Sequence, residues 1–442
     1  GVSELQWVVS AYTLMFAALI LTAGALADRF GSRRVFSAGF VIFVIASAGC
    51  GLAPGMAFLI AARAVQGIGA ALLGSCSLAL LNHAFHDPAE HAAAVGKWAA
   101  GASAALSGGP VVGGVLIWAL GWRSIFFINL PIGLAGLWLT RRGARETPRS
   151  AQRGLDPGGQ VTAVLALAAL AAGLIEAGRL GLSDPLVLGC LALFAAGLAA
   201  FGLIEARSAE PMLPLALFRR SAFGAPVLIG LLVNVSFYGL IFLFSLLFQS
   251  QLRFSPLAAG VAFLPMTAAI MAANLASRRL AARAGPARTV RSGVLIMLAG
   301  CAGLLWAGQS SGYPAMLAQQ LLLGAGLGLL VPPMTGTLLG SVARSRSGVA
   351  AGTLTTMRQA GSMLGVALFG SLAAGAGRFY PGLHAALLIS VAVLSASAAL
   401  TFLFTSPAQG RPPSQGGGER GPLEGKRPPK AFRRWAVHLP VT

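Results

Sequence analysis

Long apolar runs, separated by short polar connections, extend along this chain from near its first residue to about residue 404. A bilayer core of about 30 Å is crossed by roughly 20 apolar residues in a helix, and most of the runs have about this length. Ala, Gly and Leu dominate them, without the alternation typical of membrane-barrel strands. The pattern predicts an all-helical, polytopic membrane protein with thirteen spans in this chain. They are expected at 7–27, 35–53, 56–80, 97–118, 122–139, 158–177, 185–205, 223–248, 257–276, 292–308, 314–338, 349–373 and 383–404.

The composition excludes a water-soluble fold. Hydrophobic residues make up 56% of the 442 residues, charged residues only 10%, and the mean hydropathy is +0.78. Such a chain has too little polar surface to face water on every side, so most of its surface must face lipid. A phosphate-binding loop of the Gly-x-x-x-x-Gly-Lys type does not occur in the sequence, which disfavours an ATP-driven protein. We therefore expect neither an enzyme nor a bound cofactor.

Metal ligands and disulfides are not expected either. The four cysteines fall in predicted spans at irregular spacing, as small packing residues do. A histidine-containing connection is the alternative metal site, but its residues are those of an ordinary polar loop. The residues in question are Cys50, Cys76, Cys190 and Cys301, and His83, His86 and His91 with Asp87 and Glu90.

The net charge of +20 would suggest nucleic-acid binding in a soluble protein, but most of the 32 basic residues lie in alternate connections between spans. The positive-inside rule places those connections and the C-terminus in the cytoplasm of a multi-pass cell-membrane protein, and no nucleic-acid partner is expected. The Arg-rich set comprises Arg29, Arg33, Arg34, Lys97, Arg141, Arg142, Arg145, Arg149, Arg153, Arg207, Arg219, Arg220, Arg278, Arg279, Arg283, Arg288, Arg291, Arg344, Arg346 and the tail. The intervening connections hold only Arg123, Arg179, Arg253 and Arg378.

This orientation puts Gly1 outside the cell. The chain starts with Gly rather than Met, and no apolar signal segment before Trp7 would carry its start across the membrane. We interpret this as the absence of one upstream helix. Restoring that helix would give fourteen spans with both termini inside.

Polar connections divide the chain into four parts. An N-terminal bundle over 1–139 is followed at 140–222 by cytoplasmic connections and two extra helices. A second bundle is expected over 223–404. The segment 405–442 is rich in Pro, Gly and basic residues and is expected to be a disordered cytoplasmic tail.

Short motifs occur in the order and spacing of a known family. The first three resemble the signatures of the major facilitator superfamily for the loop between its second and third helices, its fourth helix and its fifth helix. The last, followed by two extra central helices, is similar to the fourteen-helix drug:proton antiporter branch. The resemblance covers about 3–405. The motifs are Gly24-x-Leu26-Ala-Asp28-Arg29-x-Gly31-x-Arg33, Leu59-x-x-x-Arg63-x-x-Gln66-Gly67-x-Gly69-Ala-Ala71, Gly109-Pro110-x-x-Gly113-Gly114, and Trp122-Arg123-x-x-Phe126-x-Ile128-Asn129-x-Pro131-x-Gly133.

The first motif has a physical interpretation of its own. Gly31 permits a tight turn, and Asp28 is placed to accept hydrogen bonds from a helix N-terminus or to pair with Arg29 or Arg33. The alternative is a solvated basic loop. The resemblance implies a gating role, with Ser32 in place of a more usual basic residue.

Arg63 lies about two turns inside a predicted span, where an unpaired charge costs several kcal/mol. It therefore needs a partner, a water-filled cavity or access to the membrane surface. The resemblance implies that Arg63 and Gln66 line the central cavity and influence a proton-binding acid, with Arg358 and Gln359 in a comparable place in the second half. The alternative is that Arg63 extends towards the cytoplasm.

Gly109, Pro110, Gly113 and Gly114 lie in one span, where small residues allow close helix packing and the proline bends the helix. Simple packing is one interpretation. The resemblance implies that this segment seals the cavity against proton leak.

Proton coupling calls for an acid within the membrane, but the 12 acidic residues lie mostly in connections or at the ends of spans. Glu176 is the nearest to a buried acid, and its boundary position argues against a coupling role. In this branch the first helix commonly carries an acid. Coupling is thus implied by the resemblance alone.

The function expected is secondary active export of drugs, or of hydrophobic or cationic small molecules, by a monomer in exchange for protons. Polar and aromatic candidates for the substrate cavity are Tyr12, Asn234, Tyr238 and Gln319. The expected partners are the lipid bilayer, protons and a small-molecule substrate. The alternative is a sensor-like or truncated, inactive protein on the same scaffold.

Overall fold

A computed structural model of the chain describes residues 1–85, 87–149, 156–208, 215–218, 221–306, 312–342, 347–374 and 379–403. These ranges form helices and contain no strand, which confirms the predicted all-helical class. Several residues singled out above lie outside them. They are His86, Arg153, Arg219, Arg220, Arg344, Arg346, Arg378 and the tail from 405 to 442.

Most of the helices are long enough to cross a bilayer. The first eight are α1 (Val2–Phe30), α2 (Ser32–Gly51), α3 (Met56–Ala84), α4 (Pro88–Leu120), α5 (Ser124–Phe127), α6 (Asn129–Gly143), α7 (Pro157–Leu180) and α8 (Pro185–Arg207). The others are α9 (Leu215–Phe218), α10 (Ser221–Leu246), α11 (Pro256–Ala262), α12 (Leu264–Ala284), α13 (Pro286–Leu304), α14 (Leu317–Gly340), α15 (Ser347–Leu372) and α16 (Phe379–Leu403). A π-helix over Leu247–Gln251 extends α10, and a 3₁₀ helix over Tyr313–Met316 precedes α14.

Each predicted span coincides with one long helix or with a pair of consecutive helices. In the described part of the chain, eleven such segments are long and apolar enough to cross a membrane. Two further helices lie at predicted spans. In α4 the described apolar stretch is Gly108–Leu120, and α15 is diluted by Gly, Ser and Thr and by Arg358.

Local sequence explains where several helices begin. Asp156, Asp184 and Ser255 each precede a proline, and each side chain accepts a backbone N–H from the first turn of its helix. The proline has no N–H to leave unpaired at this position, and its fixed φ suits a helix start. The local sequence therefore determines where α7, α8 and α11 begin.

The helices form two bundles, and α7 and α8 lie between these bundles in the sequence. In the first bundle α3 packs against α1 and α2, and α6 against α2. In the second, α10 packs against α15 and α16, and α14 against α12 and α13. The bundles meet along α1 and α15, and along α4 with α11 and α12. The exact boundaries proposed from the sequence, at 139, 222 and 404, remain predictions.

The first extra helix, α7, packs against both α1 and α15 as well as against α8. The side-chain amide of Gln160 donates to the Ala18 carbonyl at 3.0 Å and accepts from the Thr22 hydroxyl. Towards its other end, Gly178 approaches the backbone of Ser371 so closely that a Cβ would lie 2.7 Å from the Ser371 Cα. The α7 helix thus contacts both bundles.

Candidate functional site

The α1–α2 connection consists of Gly31 alone, which has φ of +97°. A Cβ there would lie 2.4 Å from the Glu146 side chain, so both the backbone conformation and the space favour glycine. Leu26 lies one turn earlier and packs with buried Ala27, Val35 and Cys76. The tight turn expected at this motif is present.

Glu146 and Thr147, from the connection after α6, bind the first turn of α2. Glu146 Oε1 accepts the backbone N–H of Arg33 at 2.9 Å, and Thr147 Oγ1 accepts that of Ser32 at 2.8 Å. The Thr147 hydroxyl also donates to Ser32 Oγ at 3.0 Å. A carboxylate at a helix N-terminus satisfies free N–H groups and interacts favourably with the helix dipole. This contact explains why Ser32 stands where a basic residue is more usual in the motif, because its small hydroxyl fits against Thr147.

The basic residues of the first motif point in different directions. Arg33 Nη2 donates to the carbonyl of Arg141 at 2.6 Å, and Arg29 lies over the Phe30 ring at 5.6 Å. Arg34 is 3.9 Å from Glu146 Oε2, a distant and largely exposed ion pair. Asp28 lies in the last turn of α1, and Gly24 lies one turn before it. A Cβ added at Gly24 would meet no atom within 4 Å, so close packing does not explain this glycine.

Arg63, on α3, is held by neighbours from two helices. Its Nε donates to the carbonyl of Val8 at 3.0 Å and its Nη1 to Gln66 Oε1 at 2.6 Å. The guanidinium also stacks 4.3 Å from the centroid of the Tyr12 ring on α1. A planar, multiply donating cation that stacks on an aromatic ring is a role that lysine would fill poorly.

Gln66 extends this hydrogen-bond network to α2. It is 1% exposed, and its Nε2 donates to Ser47 Oγ at 2.7 Å. The adjacent Gly67 packs directly on α1, where a Cβ would lie 2.4 Å from the Tyr12 carbonyl oxygen. The second motif therefore places a charge and its polar partners at the contact of three helices.

A cavity of about 340 Å³ opens beside this network. Arg63, Gln66, Tyr12 and Asn129 supply its polar groups, and the remaining walls are apolar. The walls are Val8, Val9, Phe43, Ile125 and Phe126. A mostly apolar concavity with a few convergent polar groups is typical of a small-molecule site.

The second half has no copy of the Arg63 network among the residues described. The stem of Arg358 packs on Gly230 of α10, where a Cβ would lie 3.3 Å from the Arg358 Cγ. The Tyr238 side chain lies within electrostatic range of both Arg358 and Tyr12. Gln359 follows Arg358 directly on α15, where successive side chains do not face each other, and the described structure shows no hydrogen bond between the two.

The third motif is divided between two surroundings. Gly114 and Pro110 contact Gly260 of α11, where a Cβ would lie 2.4 Å from the Pro110 carbonyl oxygen. Gly109 and Gly113 have no atom within 4 Å of an added Cβ. Close packing between the bundles therefore accounts for one face of α4 but not for the other.

Two cavity candidates are turned away from the described cavity. Asn234 is 2% exposed, and its amide donates to the Gly230 carbonyl of its own helix at 2.7 Å. Gln319 packs against α13, with its Cγ 3.1 Å from the place of a Cβ on Gly303. Their assignment to a substrate site remains a prediction.

Glu205 is the acid with the lowest exposure in the described part of the chain, at 3%. Its position at the last residue of a predicted span gave no sign of this burial. Glu176, which the sequence indicated as the nearest to a buried acid, instead pairs with Arg179 at 2.9 Å near the end of α7. An ion pair at the end of this helix agrees with the position expected for Glu176, at the boundary of the membrane.

The fold and site define a class of protein: two helical bundles in a membrane, with a polar network and a cavity inside one of them. The Major Facilitator Superfamily model matches residues 1–366, and the chain belongs to that family.

Its similar relatives include drug-resistance proteins. Multidrug resistance protein Stp of Mycobacterium tuberculosis (strain ATCC 25618 / H37Rv) is 34% identical over 374 residues, 85% of this chain and 70% of that protein. The methylenomycin A resistance protein of Bacillus subtilis (strain 168) is 35% identical over 419 residues, 94% of this chain and 89% of that protein. The drug efflux pump JefA of M. tuberculosis (strain ATCC 25618 / H37Rv) is 33% identical over 85% of this chain and 74% of its own length.

Solved structures share the fold. The human organic anion transporter MFSD10 aligns with a TM-score of 0.64 at 19% identity, covering 90% of this chain and 83% of that one. An auto-inhibited POT family peptide transporter aligns with a TM-score of 0.64 at 17% identity, covering 93% and 91%.

Proposed function

We propose that this protein exports drugs or other hydrophobic small molecules across the cell membrane in exchange for protons, by alternating access. The observation that carries the proposal is the Arg63 network, which fixes a positive charge beside a cavity inside a membrane-spanning bundle. An intramembrane charge is costly and usually marks a substrate or proton pathway. Relatives at 33% to 35% identity are named for drug resistance and efflux, which supports drugs as the cargo.

The role proposed for Arg63 in proton coupling is to shift the protonation of an acid that comes near it in one conformation. A guanidinium stabilises a nearby carboxylate in its ionised form, and loss of that proximity on a conformational change favours protonation. Among the described residues that line the cavity there is no carboxylate, so the proton-carrying group is proposed to lie outside this lining. The cytoplasmic location of the C-terminus follows from the Arg-rich connections and belongs to the same proposal.

The test is drug retention in cells. A drug-sensitive bacterial host that expresses the chain should retain less of a fluorescent drug than the host with an empty vector. A protonophore should abolish the difference, as should Arg63→Ala. Equal retention in the expressing and empty-vector cells would favour a sensor-like or inactive protein instead.

A further inference from the structure

Gln6 lies in the interface between the two bundles, in the second turn of α1. It is 0% exposed although it carries a polar amide. Burying an amide without hydrogen bonds costs roughly 1–3 kcal/mol, so its partners are informative.

The partners belong to the other bundle. Gln6 Nε2 donates to the carbonyl oxygens of Ala367 at 2.7 Å and Val366 at 3.1 Å, both on α15. The two residues are 360 and 361 positions from Gln6 in sequence. A single side chain thus links the first bundle to the second.

Gly370 provides the space for this link. A Cβ at Gly370 would lie 2.4 Å from Gln6 Nε2 and 2.6 Å from its Cδ. Any side chain at this position would displace the Gln6 amide. The fit between Gln6 and α15 is therefore specific in shape as well as in hydrogen bonding.

Two polar atoms at the same place limit how strongly the interface is held. Gln6 Oε1 and Ser10 Oγ are buried, and neither forms a hydrogen bond in the described structure. Ser10 lies one turn further along the same face of α1 and is also 0% exposed. Water would solvate these atoms if the helices separated, and this offsets part of the free energy lost with the two Gln6 hydrogen bonds.

Alternating access requires α1 and α15 to separate at one end while the other end stays closed. By the charge distribution of the connections, the Gln6 end of α1 is the outer end. Separation there breaks both Gln6 hydrogen bonds, whereas separation at the Arg29 end does not.

We propose that Gln6 is a gating residue that holds the outer end of the transport pathway closed by bonding α1 to α15, and that its release accompanies outward opening. This inference rests on the proposed alternating-access function. It concerns the balance between two conformations rather than the binding of cargo.

The test measures outer-gate opening by cysteine labelling. The reporter is Ser10→Cys in a chain whose native Cys50, Cys76, Cys190 and Cys301 are replaced by Ala. Intact cells are treated with a membrane-impermeant maleimide, and the labelling rate is compared with and without Gln6→Met. Methionine keeps the length of the side chain but donates no hydrogen bond.

Gln249→Met is the matched control. Gln249 is exposed, and in the described part of the chain its amide bonds within its own helix segment, to the Ser245 hydroxyl at 3.0 Å and the Ser245 carbonyl at 3.3 Å. We expect Gln6→Met to raise the labelling rate of Ser10→Cys about fivefold to tenfold, the range expected for losing such hydrogen bonds. Gln249→Met should leave it unchanged.

Equal labelling rates in the Gln6→Met and Gln249→Met proteins would overturn the proposal. If Gln6→Met fails to reach the membrane, Gln6→Asn gives the same test, because its amide is one methylene too short to reach both carbonyls. The labelling is done without drug and in the presence of a protonophore, which collapses the proton gradient of the cells. If Gln6→Met raises the labelling rate but the chain exports no drug, the proposed export function is refuted and the gate is supported. If the chain exports drug but Gln6→Met leaves the labelling rate unchanged, the gate is refuted and the export function is supported.

Discussion

At the scale of single residues, Glu146 connects two distant parts of the first bundle. Its carboxylate reaches the N-terminus of α2 from the connection after α6 and accepts the Arg33 N–H. In a loop of one residue, no neighbouring side chain serves as the cap, so the cap comes from 113 positions away. The first motif is therefore completed by a residue outside it.

We expect Glu146→Ala to loosen the start of α2. Losing an N-terminal cap of this kind costs about 1 kcal/mol, which corresponds to a roughly fivefold faster exchange of the Arg33 amide hydrogen if that amide opens locally. Hydrogen–deuterium exchange with mass spectrometry of peptides covering 29–36 measures this. Glu146→Gln keeps an acceptor oxygen and is the control, with a smaller expected change. Unchanged exchange in the Ala variant would show that the cap does not stabilise this turn.

A second prediction concerns Arg63. Arg63→Lys keeps the charge but removes the guanidinium group, which donates to both the Val8 carbonyl and Gln66 Oε1. It also weakens the stacking on Tyr12. We expect at least a tenfold fall in kcat/KM for drug export, measured as initial efflux rates over a range of drug concentrations.

The matched control for that substitution is Arg123→Lys. Arg123 donates to the Ala53 carbonyl at 3.2 Å and stacks on Trp122, but it lies outside the cavity lining. Its replacement should change export less than twofold. Similar losses in both variants would show that any arginine with such contacts matters equally, which contradicts a special role for Arg63.

The sequence predicts some of these residue contacts and not others. Arg63 and Gln66 are three positions apart on one helix, so their contact follows from helical geometry. The partners of Glu146 and Gln6 follow only from how distant helices pack, and the sequence holds no short-range signal for them. Asn234 differs from both, because the sequence suggested that it lines a cavity, whereas its amide donates to the Gly230 carbonyl of its own helix.

At the scale of helices, close packing depends on particular glycines. Gly67 lets α3 approach α1, because a Cβ there would lie 2.4 Å from the Tyr12 carbonyl oxygen, which is backbone and has little freedom to move. The Gly114 and Gly260 contact between α4 and α11 has the same character.

We expect Gly67→Ala to destabilise the protein by about 1–3 kcal/mol, the usual cost of overpacking. Thermal unfolding in detergent, followed by tryptophan fluorescence, should show a lower midpoint. The control is Gly49→Ala on α2, where the added Cβ would make an ordinary contact 3.7 Å from the Ala62 Cβ. A midpoint for Gly67→Ala equal to that of Gly49→Ala would mean that α1 and α3 are less tightly packed than described.

Helix positions follow well from hydropathy because lipid demands a continuous apolar surface. Helix ends follow less well. The α4 helix begins at Pro88, nine residues before the predicted span, since a helix continues into polar sequence when nothing terminates it. The predicted span at 122–139 is interrupted at Ile128, between α5 and α6, which hydropathy does not reveal.

At the scale of the whole molecule, the contacts between the bundles form two lines, α1 with α15 and α4 with α11 and α12. The α7 helix lies against the first of these lines and touches both of its members. The sequence motifs identified the family and its two-bundle plan. They did not predict that one of the extra helices packs across the junction of the bundles, because that contact depends on how helices distant in the sequence pack together.

The central claim is that this protein moves a drug against its gradient by using a proton gradient. The direct measurement is drug uptake by proteoliposomes that contain the purified protein, with an acidic interior and a neutral exterior. We expect the drug to accumulate inside in vesicles with the gradient, with uptake lost after a protonophore and reduced at least tenfold by Arg63→Lys. Accumulation that is the same with and without the pH gradient, or absent in both, would contradict the account.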